Sequence, residues 1–397
     1  MSHDRSWRSF ASHLECTRCG QSFDLADRMN LCPCGAPLST QYDLKAAGAT
    51  CDPERLRTRP SDLWRYREML PVQSAQHQVT LGEGMTPILE MRRLSKRLAG
   101  RRVLLKDESL NPTNSFKARG MAVAISRARE LGCEHVALPS AGNAGCAAAA
   151  YAARAGMRAS VFIPKDTPTA FTDECRAHGA HVELVDGLIH DCGRRVAAGK
   201  AEHGWFDLST LKEPYRLEGK KTLGYEVAEQ LDWHLPDVVV YPTGGGTGLV
   251  GMWKAFGELH SLGWVEDRAP RLWSVQADGC APIVRAFHAG EDAAVPWENA
   301  QTFALGLRVP VAVADFLMLR ALRETQGHAV AVTEGEIAAA GRELAEQEGV
   351  FASPEGAATW AALCKSQDAL GDAETILLFN TGGWYKYAEG WRRVLGL

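Results

Sequence analysis

The chain has 397 residues, of which 46% are apolar and 23% are charged, an ordinary composition for a soluble protein with a sizeable core. Lys and Arg total 44 against 48 Asp and Glu, for a net charge of -4, so nothing in the charge balance predicts a nucleic-acid partner or a membrane surface. No apolar stretch approaches the ~20 residues of a membrane span. Residues 1–10 are charged and lack an apolar core, so the sequence predicts a cytoplasmic protein.

The N-terminal segment, residues 1–48, is rich in cysteine and is predicted to form a small ribbon-like appendage. Its candidate metal ligands are Cys16, Cys19, Cys32 and Cys34. This arrangement resembles a zinc ribbon, in which thiolates bind Zn²⁺ tetrahedrally. The second pair is one residue shorter than the usual Cys-x-x-Cys. Three possibilities therefore stay open: structural zinc on four cysteines, a site with His13 as a substitute ligand, and a degenerate ribbon without metal.

From about Leu81, short apolar runs alternate with longer amphipathic segments. The predicted strands are 103–106, 135–139, 159–163, 181–185, 237–241, 272–276 and 375–379. The predicted helices are 117–131, 144–155, 168–178, 220–230, 248–260, 334–348 and 354–365. This alternation favours an α/β fold with parallel sheets and helices on both faces. In such sheets, ligands bind at the carboxyl ends of the strands.

Two loops precede predicted helices and carry groups suited to chemistry. Lys117 lies in NPTNSFKARG, residues 111–120, at the first turn of a helix; a solvated surface lysine is the alternative. The loop PSAGNAG, residues 139–145, follows a strand and precedes an alanine-rich helix. Its backbone N–H groups are placed to bind an anion, unless the loop is only a tight turn that needs glycine.

Two further glycine-rich loops follow predicted strands. In TGGGTG, residues 243–248, the glycines let the backbone fold around a phosphate, and Thr247 adds a hydroxyl donor. The loop fits neither a Walker loop nor a dinucleotide fingerprint. In NTGG, residues 380–383, Thr381 is presented at a sheet edge. A plain glycine turn is the alternative for each loop alone.

The four loops in this order supply an amine, a site for a carboxylate, a phosphate cradle and a hydroxyl. Pyridoxal phosphate needs this set of groups: a lysine forms a Schiff base with it, a glycine loop holds its 5′-phosphate, and a neutral group faces its ring nitrogen. The sequence therefore predicts an enzyme that uses pyridoxal phosphate.

The same motifs resemble those of the tryptophan-synthase-like (fold type II) pyridoxal-phosphate enzymes and, more narrowly, the threonine synthase family. GEGMTP, residues 82–87, is similar to that family's GEG-x-TP segment, and YRLEGKKT, residues 215–222, to its YR-x-EG-x-KT segment. The resemblance implies an α/β, two-domain fold behind the ribbon-like appendage. A large cofactor-binding domain is expected at 49–115 and 211–397, a smaller mobile domain at 116–210, and a homodimer as the assembly.

The resemblance also implies roles for individual residues. Lys117 would hold the cofactor and shuttle the α-proton of the substrate, Asn143 would hydrogen-bond the phenolic oxygen of the cofactor, and Thr381 would face the pyridine nitrogen. The expected phosphate-binding residues are Gly244, Gly245, Gly246, Thr247 and Gly248. The residues expected around the substrate's α-carboxylate are Ser140, Ala141, Gly142 and Asn143.

The implied activity is that of threonine synthase, which converts O-phospho-L-homoserine and water to L-threonine and phosphate. The substrate's phosphate needs a cation, and Arg119 is our candidate. Other possible anion donors are Lys106, Arg216, Lys220 and Lys221. The family commonly has Asp where this chain has Ala118, and the resulting Phe-Lys-x-Arg pattern resembles that of threonine dehydratases. Residues 165–180 also depart from the family pattern. A threonine or serine ammonia-lyase, or a β-replacement enzyme on serine or phosphoserine-like substrates, therefore remains an alternative.

Overall fold

The computed structural model describes residues 7–266 and 268–396, which form an α/β fold. The strands are β1 (Ala11–Cys16), β2 (Ser22–Phe23), β3 (Leu38–Tyr42), β4 (Ile88–Glu90), β5 (Arg102–Asp107), β6 (His135–Pro139), β7 (Arg158–Pro164), β8 (His181–Val185), β9 (Phe206–Asp207), β10 (Val238–Pro242), β11 (Arg271–Ala277), β12 (His328–Val332) and β13 (Thr375–Asn380). The helices are α1 (Leu44–Thr50), α2 (Pro53–Arg57), α3 (Arg92–Ser95), α4 (Lys117–Glu130), α5 (Asn143–Ala155), α6 (Thr169–Ala177), α7 (Ile189–His203), α8 (Tyr215–Gln230), α9 (Thr247–Ser261), α10 (Pro282–Ala289), α11 (Asp315–Glu324), α12 (Glu334–Glu348), α13 (Pro354–Lys365) and α14 (Ala388–Leu395).

These strands form three sheets. The ribbon is antiparallel, with the order β2-β1-β3. The larger sheet has the order β12-β11-β10-β13-β5-β4 and is parallel except for the edge strand β4. The smaller sheet, β8-β7-β6-β9, is parallel throughout. Its strands all lie between residues 135 and 207, inside the segment predicted for the smaller domain, whose boundaries stay a prediction.

The central strands read as continuous apolar runs because helices cover both faces of the sheets. Every residue of β10 is buried, and β13 is buried from Ile376 to Asn380. These two strands pair in parallel, so their carboxyl ends lie at the same edge of the larger sheet. The glycine loop that starts at Thr243 and the loop that starts at Thr381 leave the sheet there.

All predicted strands and helices exist, but helix α8 begins five residues before its predicted start at Lys220. Gly219, just before the predicted start, lies inside α8 where this helix crosses α4. A Cβ at Gly219 would lie 2.1 Å from the carbonyl oxygen of Arg119, so this glycine permits close helix packing. Within residues 7–266 and 268–396, no helix has both the length and the apolar character needed to cross a membrane.

Candidate active site

Lys117 is the first residue of α4, and the loop before it is tied to the loop after β13. The N–H of Phe116 donates to the carbonyl oxygen of Thr381 at 3.1 Å, and the N–H of Gly383 donates to that of Asn114 at 2.8 Å. The structure therefore brings the backbone before the predicted Schiff-base lysine into contact with the backbone of Thr381, although 264 residues separate Lys117 and Thr381 in the chain.

The amine of Lys117 is partly buried in an apolar setting. Its Nζ lies 4.1 Å from the centroid of the Phe116 ring. The pKa of Lys117 is lowered to about 7, mainly by burial and also by the charge of Arg216, while Glu355 opposes the shift. An amine with this pKa is largely neutral in mildly alkaline solution, which is the form that attacks an aldehyde.

A second lysine lies beside Lys117. The Nζ of Lys220 is 4.2 Å from the centroid of the same Phe116 ring and donates to the carbonyl oxygen of Phe116. Burial holds the pKa of Lys220 well below its usual range, and the neighbouring charge of Lys117 adds to this. Sequence reasoning named Lys220 as an anion donor, but in the structure its amine lies beside the predicted Schiff-base lysine and is bonded to the protein backbone.

Asn143, the first residue of α5, lies beside the Thr381 loop. A Cβ at Gly382 would be 3.4 Å from its Nδ2. This Nδ2 donates to the hydroxyl of Tyr387 at 3.1 Å, and the Oδ1 accepts a hydrogen bond from Lys386 at 3.2 Å. Since Lys386 has only donors, it fixes the amide so that Nδ2 keeps a second hydrogen to donate, which suits a bond to a phenolic oxygen.

Ser140 shapes the turn that leads into α5. Its hydroxyl donates to the carbonyl oxygen of Gly142 at 2.9 Å and accepts from the N–H of Gly145 at 2.8 Å. No side chain caps the start of α5. The predicted carboxylate site is therefore formed by backbone groups at the half-exposed Ala141, Gly142 and Asn143, while the hydroxyl of Ser140 holds the loop.

The glycine loop after β10 is shaped for an anion. Helix α9 starts at Thr247 without a side-chain cap, so its first N–H groups point out of the helix. A Cβ added at Gly244 would lie 2.1 Å from the carbonyl oxygen of Gly306. A Cβ added at Gly248 would lie 1.9 Å from the hydroxyl oxygen of Tyr241. Gly246 has a φ of +81°, which favours glycine.

Gly245 differs from Gly244 and Gly248, because fewer protein atoms lie close to the position that its Cβ would take. It is partly exposed, and the atom nearest to an added Cβ is the Cγ2 of Thr210 at 2.8 Å. Uncapped N–H groups and a surface without side chains fit the phosphate of pyridoxal phosphate, with Gly244, Gly245, Gly246, Thr247 and Gly248 as its cradle.

Glu355 is a site residue that sequence reasoning missed, because it reads as an ordinary acid in the first turn of α13. It is 4% exposed, and its Oε1 accepts from the N–H of Gly306 at 2.7 Å. Burial raises the pKa of Glu355, and a hydrogen bond with the Tyr387 hydroxyl opposes this shift. Glu355 thus links the wall of the glycine loop to Tyr387 and, through it, to Asn143.

Arg119 is not placed to bind a substrate. Its guanidinium is fully buried and donates to Glu108 at 2.6 and 2.7 Å and to Glu226 at 2.6 and 2.8 Å. Lys106 also bonds Glu226, and Lys221 is paired with Glu218 at 2.8 Å. We therefore revise Arg119 from a substrate-binding to a structural residue, because its donors are already directed at buried carboxylates.

Arg216, another predicted anion donor, is also turned inward. It is 2% exposed, and its Nη1 donates to the carbonyl oxygen of Leu208 at 2.6 Å. The five predicted cations are thus all buried, and each donates to a group of the protein itself.

Known proteins resemble this chain over most of its length. The family model described as "Pyridoxal-phosphate dependent enzyme" matches residues 79–382. Threonine synthase of Methanocaldococcus jannaschii is 35% identical over 370 residues, which is 92% of this chain and 91% of that protein. Threonine synthase of Methanosarcina acetivorans is 36% identical over 374 residues, 93% of this chain and 91% of that protein.

Solved structures share the fold. The T.th. threonine deaminase has a TM-score of 0.64 and 27% identity, and the match covers 75% of this chain and 92% of that one. Maize serine racemase has a TM-score of 0.69 and 21% identity, over 85% of this chain and 98% of that one, so it supports the fold alone. The chain belongs to the fold type II pyridoxal-phosphate dependent enzymes and, within them, to the threonine synthase family. It is a lyase that depends on pyridoxal phosphate.

Proposed function

We propose that the protein is a threonine synthase that converts O-phospho-L-homoserine and water to L-threonine and phosphate. The observation that carries the proposal is the identity of 35–36% to two threonine synthases over more than 90% of each chain. The site described above has groups suited to the cofactor and to the α-carboxylate of the substrate. From the family pattern we also propose a homodimer in the cytoplasm.

Lys117 is the proton carrier in this proposal. Bound pyridoxal phosphate supplies an electron sink that stabilises negative charge on the carbons next to the substrate's nitrogen. The amine of Lys117, with a pKa lowered to about 7 in the free protein, can both accept and return a proton near neutral pH. It would remove the α-proton and redistribute protons while phosphate leaves C-γ and water adds at C-β.

The remaining loops bind and orient. The start of α9 would hold the cofactor's phosphate, and the start of α5 would hold the α-carboxylate of the substrate. The hydroxyl of Thr381 would face the ring nitrogen. A hydroxyl is a weaker partner than a carboxylate, so the ring nitrogen need not carry a proton.

Two ion pairs join the segment predicted for the smaller domain to the rest of the site. Lys386 pairs with Glu174 of α6 at 2.5 Å, and Arg308 pairs with Asp166, which follows β7, at 3.2 Å. We propose that these pairs hold the smaller domain closed over the substrate. Closure of this kind excludes water until the addition step.

An ammonia-lyase acting on threonine or serine is the second candidate. Ala118 and the 27% identity to a threonine deaminase favour it. So does the placement of Arg119, which leaves the substrate's phosphate without the cation predicted for it. A substrate with a plain hydroxyl needs no such cation.

Product analysis distinguishes the two. Purified holoenzyme is incubated in parallel with phosphohomoserine, threonine, serine and phosphoserine. The proposal expects threonine and inorganic phosphate in equal amounts from phosphohomoserine, and slow or no deamination of threonine. Rapid formation of 2-oxobutanoate from threonine, with inert phosphohomoserine, would establish the ammonia-lyase.

A further inference from the structure

The four cysteines of the ribbon converge on one point. The Sγ atoms of Cys16, Cys19, Cys32 and Cys34 all lie within 4.8 Å of one another. The Cys16–Cys34 distance is 3.5 Å, and the Cys19–Cys32 distance is 3.6 Å. Thiolates bound ~2.3 Å from a tetrahedral zinc ion stand about 3.8 Å apart. The sulfurs therefore have the spacing of a metal tetrahedron and are much farther apart than the ~2.05 Å of a disulfide bond.

A hydrogen-bonded turn follows the first cysteine of each pair, and these turns make up for the shorter spacing between Cys32 and Cys34. After Cys16, the N–H of Gly20 donates to the Cys16 carbonyl oxygen at 3.1 Å, and Gly20 has a φ of +72°. After Cys32, the N–H of Gly35 donates to the Cys32 carbonyl oxygen at 2.8 Å, and Gly35 has a φ of +84°. Each turn carries its two thiols toward the same side, so the missing residue does not separate Cys34 from the others.

The first turn also stabilises a thiolate. The Sγ of Cys16 accepts from the N–H groups of Arg18 and Cys19, each at 3.4 Å. His13 belongs to no such cluster among the described residues, and its Nε2 lies 3.9 Å from Glu15. Four sulfur donors and no imidazole favour a soft cation in tetrahedral coordination.

We propose that Cys16, Cys19, Cys32 and Cys34 bind one zinc ion. Four thiolates fill the coordination shell and leave no position for a substrate or water, so the site is structural. The binding free energy of such an ion adds directly to the stability of the segment that forms the site.

The ribbon that this zinc would order contacts the segment of the smaller sheet. The Nε of Arg28 donates to the carbonyl oxygen of Leu131, which follows α4, at 2.8 Å. The Nδ2 of Asn30 donates to the carbonyl oxygen of Asp207, in β9, at 2.8 Å. Arg28 and Asn30 both lie between the two cysteine pairs, so their positions depend on how that loop is closed.

The same ribbon contacts the larger part of the protein from β3. The hydroxyl of Tyr42 donates to the buried Glu218 of α8 at 2.7 Å. Lys254 of α9 donates to the carbonyl oxygen of Thr40 at 2.6 Å. Zinc would thus fix the ribbon, which contacts both parts of the molecule. Loss of zinc would loosen the ribbon without removing any residue of the cofactor site.

The test uses the full-length holoenzyme purified under reducing conditions. Elemental analysis by mass spectrometry should find about one zinc per chain. Cys34→Ser, at an exposed position, should bind zinc at least tenfold more weakly in competition with a chelator, and Cys16→Ser/Cys34→Ser should lose it. Cys364→Ser removes a partly exposed thiol outside the cluster and is the matched control, which should keep its zinc.

The cofactor's absorption band should persist in all three variants, and the melting temperature should fall only in the two cluster variants. If the double variant aggregates, Cys34→Ser still decides the question. Wild-type protein that lacks zinc and takes up none on titration with zinc chloride in reductant would overturn the proposal. Iron in place of zinc, a Cys16–Cys34 disulfide, or zinc retained with unchanged affinity in Cys34→Ser would do the same.

Discussion

The Nζ of Lys386 lies 3.2 Å from the Oδ1 of Asn143 and 2.5 Å from the Oε2 of Glu174. This buried lysine therefore connects the residue expected at the cofactor's phenolic oxygen to a carboxylate of α6. It orients Asn143 and neutralises Glu174 at once. Neither contact follows from the sequence motifs.

Replacing Lys386 with Met should reduce turnover more than it changes cofactor binding, since Asn143 would lose the donor that orients its amide. A hydrogen bond to a charged group contributes ~1.5–3 kcal/mol, so we expect a decrease in kcat of about 10- to 150-fold. The measurement is kcat and KM together with the absorption spectrum of the bound cofactor.

The double variant Lys386→Met/Glu174→Gln is the control. It removes the charge of Glu174, which Lys386→Met leaves unpaired, but it does not restore the orientation of the Asn143 amide. If the double variant recovers full kcat, Lys386 acts only as the partner of Glu174 and not on Asn143.

The lowered pKa of Lys117 predicts how cofactor-free protein regains its cofactor. The neutral amine reacts, and its fraction rises with pH only up to a pKa of about 7. The rate of reconstitution should therefore fall about tenfold per pH unit below pH 7 and level off above pH 8. Stopped-flow absorbance with pyridoxal phosphate measures this rate. A rate that keeps rising tenfold per unit to pH 10 would show an ordinary lysine pKa.

Borohydride reduction followed by peptide mapping should place the cofactor on Lys117. The informative alternative is Lys220, because its amine lies near the same Phe116 ring. Lys117→Ala should give a colourless protein after reduction and dialysis, because the amine of Lys220 is buried and already donates to the carbonyl oxygen of Phe116. A label on Lys220 in the wild-type protein would contradict the assignment.

Gly245→Asp should weaken pyridoxal phosphate binding by about 100-fold or more, the effect of ~3 kcal/mol from an uncompensated charge. The aspartate would face the cofactor's phosphate. Gly245→Ala is the matched control and should bind pyridoxal phosphate more tightly than Gly245→Asp, because its Cβ adds no charge and displaces only the Thr210 side chain. Binding of pyridoxal, which lacks the phosphate, should differ little between the two variants; equal losses for both ligands would point to misfolding of the loop.

Arg119→Ala should destabilise the protein by ~3–5 kcal/mol, because Glu108 and Glu226 would remain buried without their cation. Urea unfolding measures this loss. Arg176→Ala, at an exposed surface pair, should change stability by less than ~0.5 kcal/mol. In Arg119→Lys, which keeps the charge, any inhibition by inorganic phosphate should be as strong as in the wild type. Unchanged stability in Arg119→Ala with lost phosphate inhibition would return Arg119 to substrate binding.

The positions of the candidate loops at strand ends were predictable, because glycine, asparagine and threonine directly after apolar runs mark strand ends in an α/β sheet. The partners of Arg119 were not. Glu226 is 107 residues away in the chain, and only the close crossing of α4 and α8 at Gly219 brings it to Arg119. Glu355, Lys386 and Tyr387 were missed for the same reason, since their contacts with Gly306 and Asn143 come from tertiary packing.

Oxygen-18 labelling tests the proposed reaction most directly. In threonine synthesis, phosphate leaves by cleavage of its bond to C-γ, and the oxygen of water is added at C-β. Holoenzyme turning over O-phospho-L-homoserine in ¹⁸O-water should therefore give threonine with one labelled oxygen and phosphate with none, as read by mass spectrometry. Labelled phosphate with homoserine as the other product, or no conversion while threonine is rapidly deaminated, would contradict the assignment as a threonine synthase.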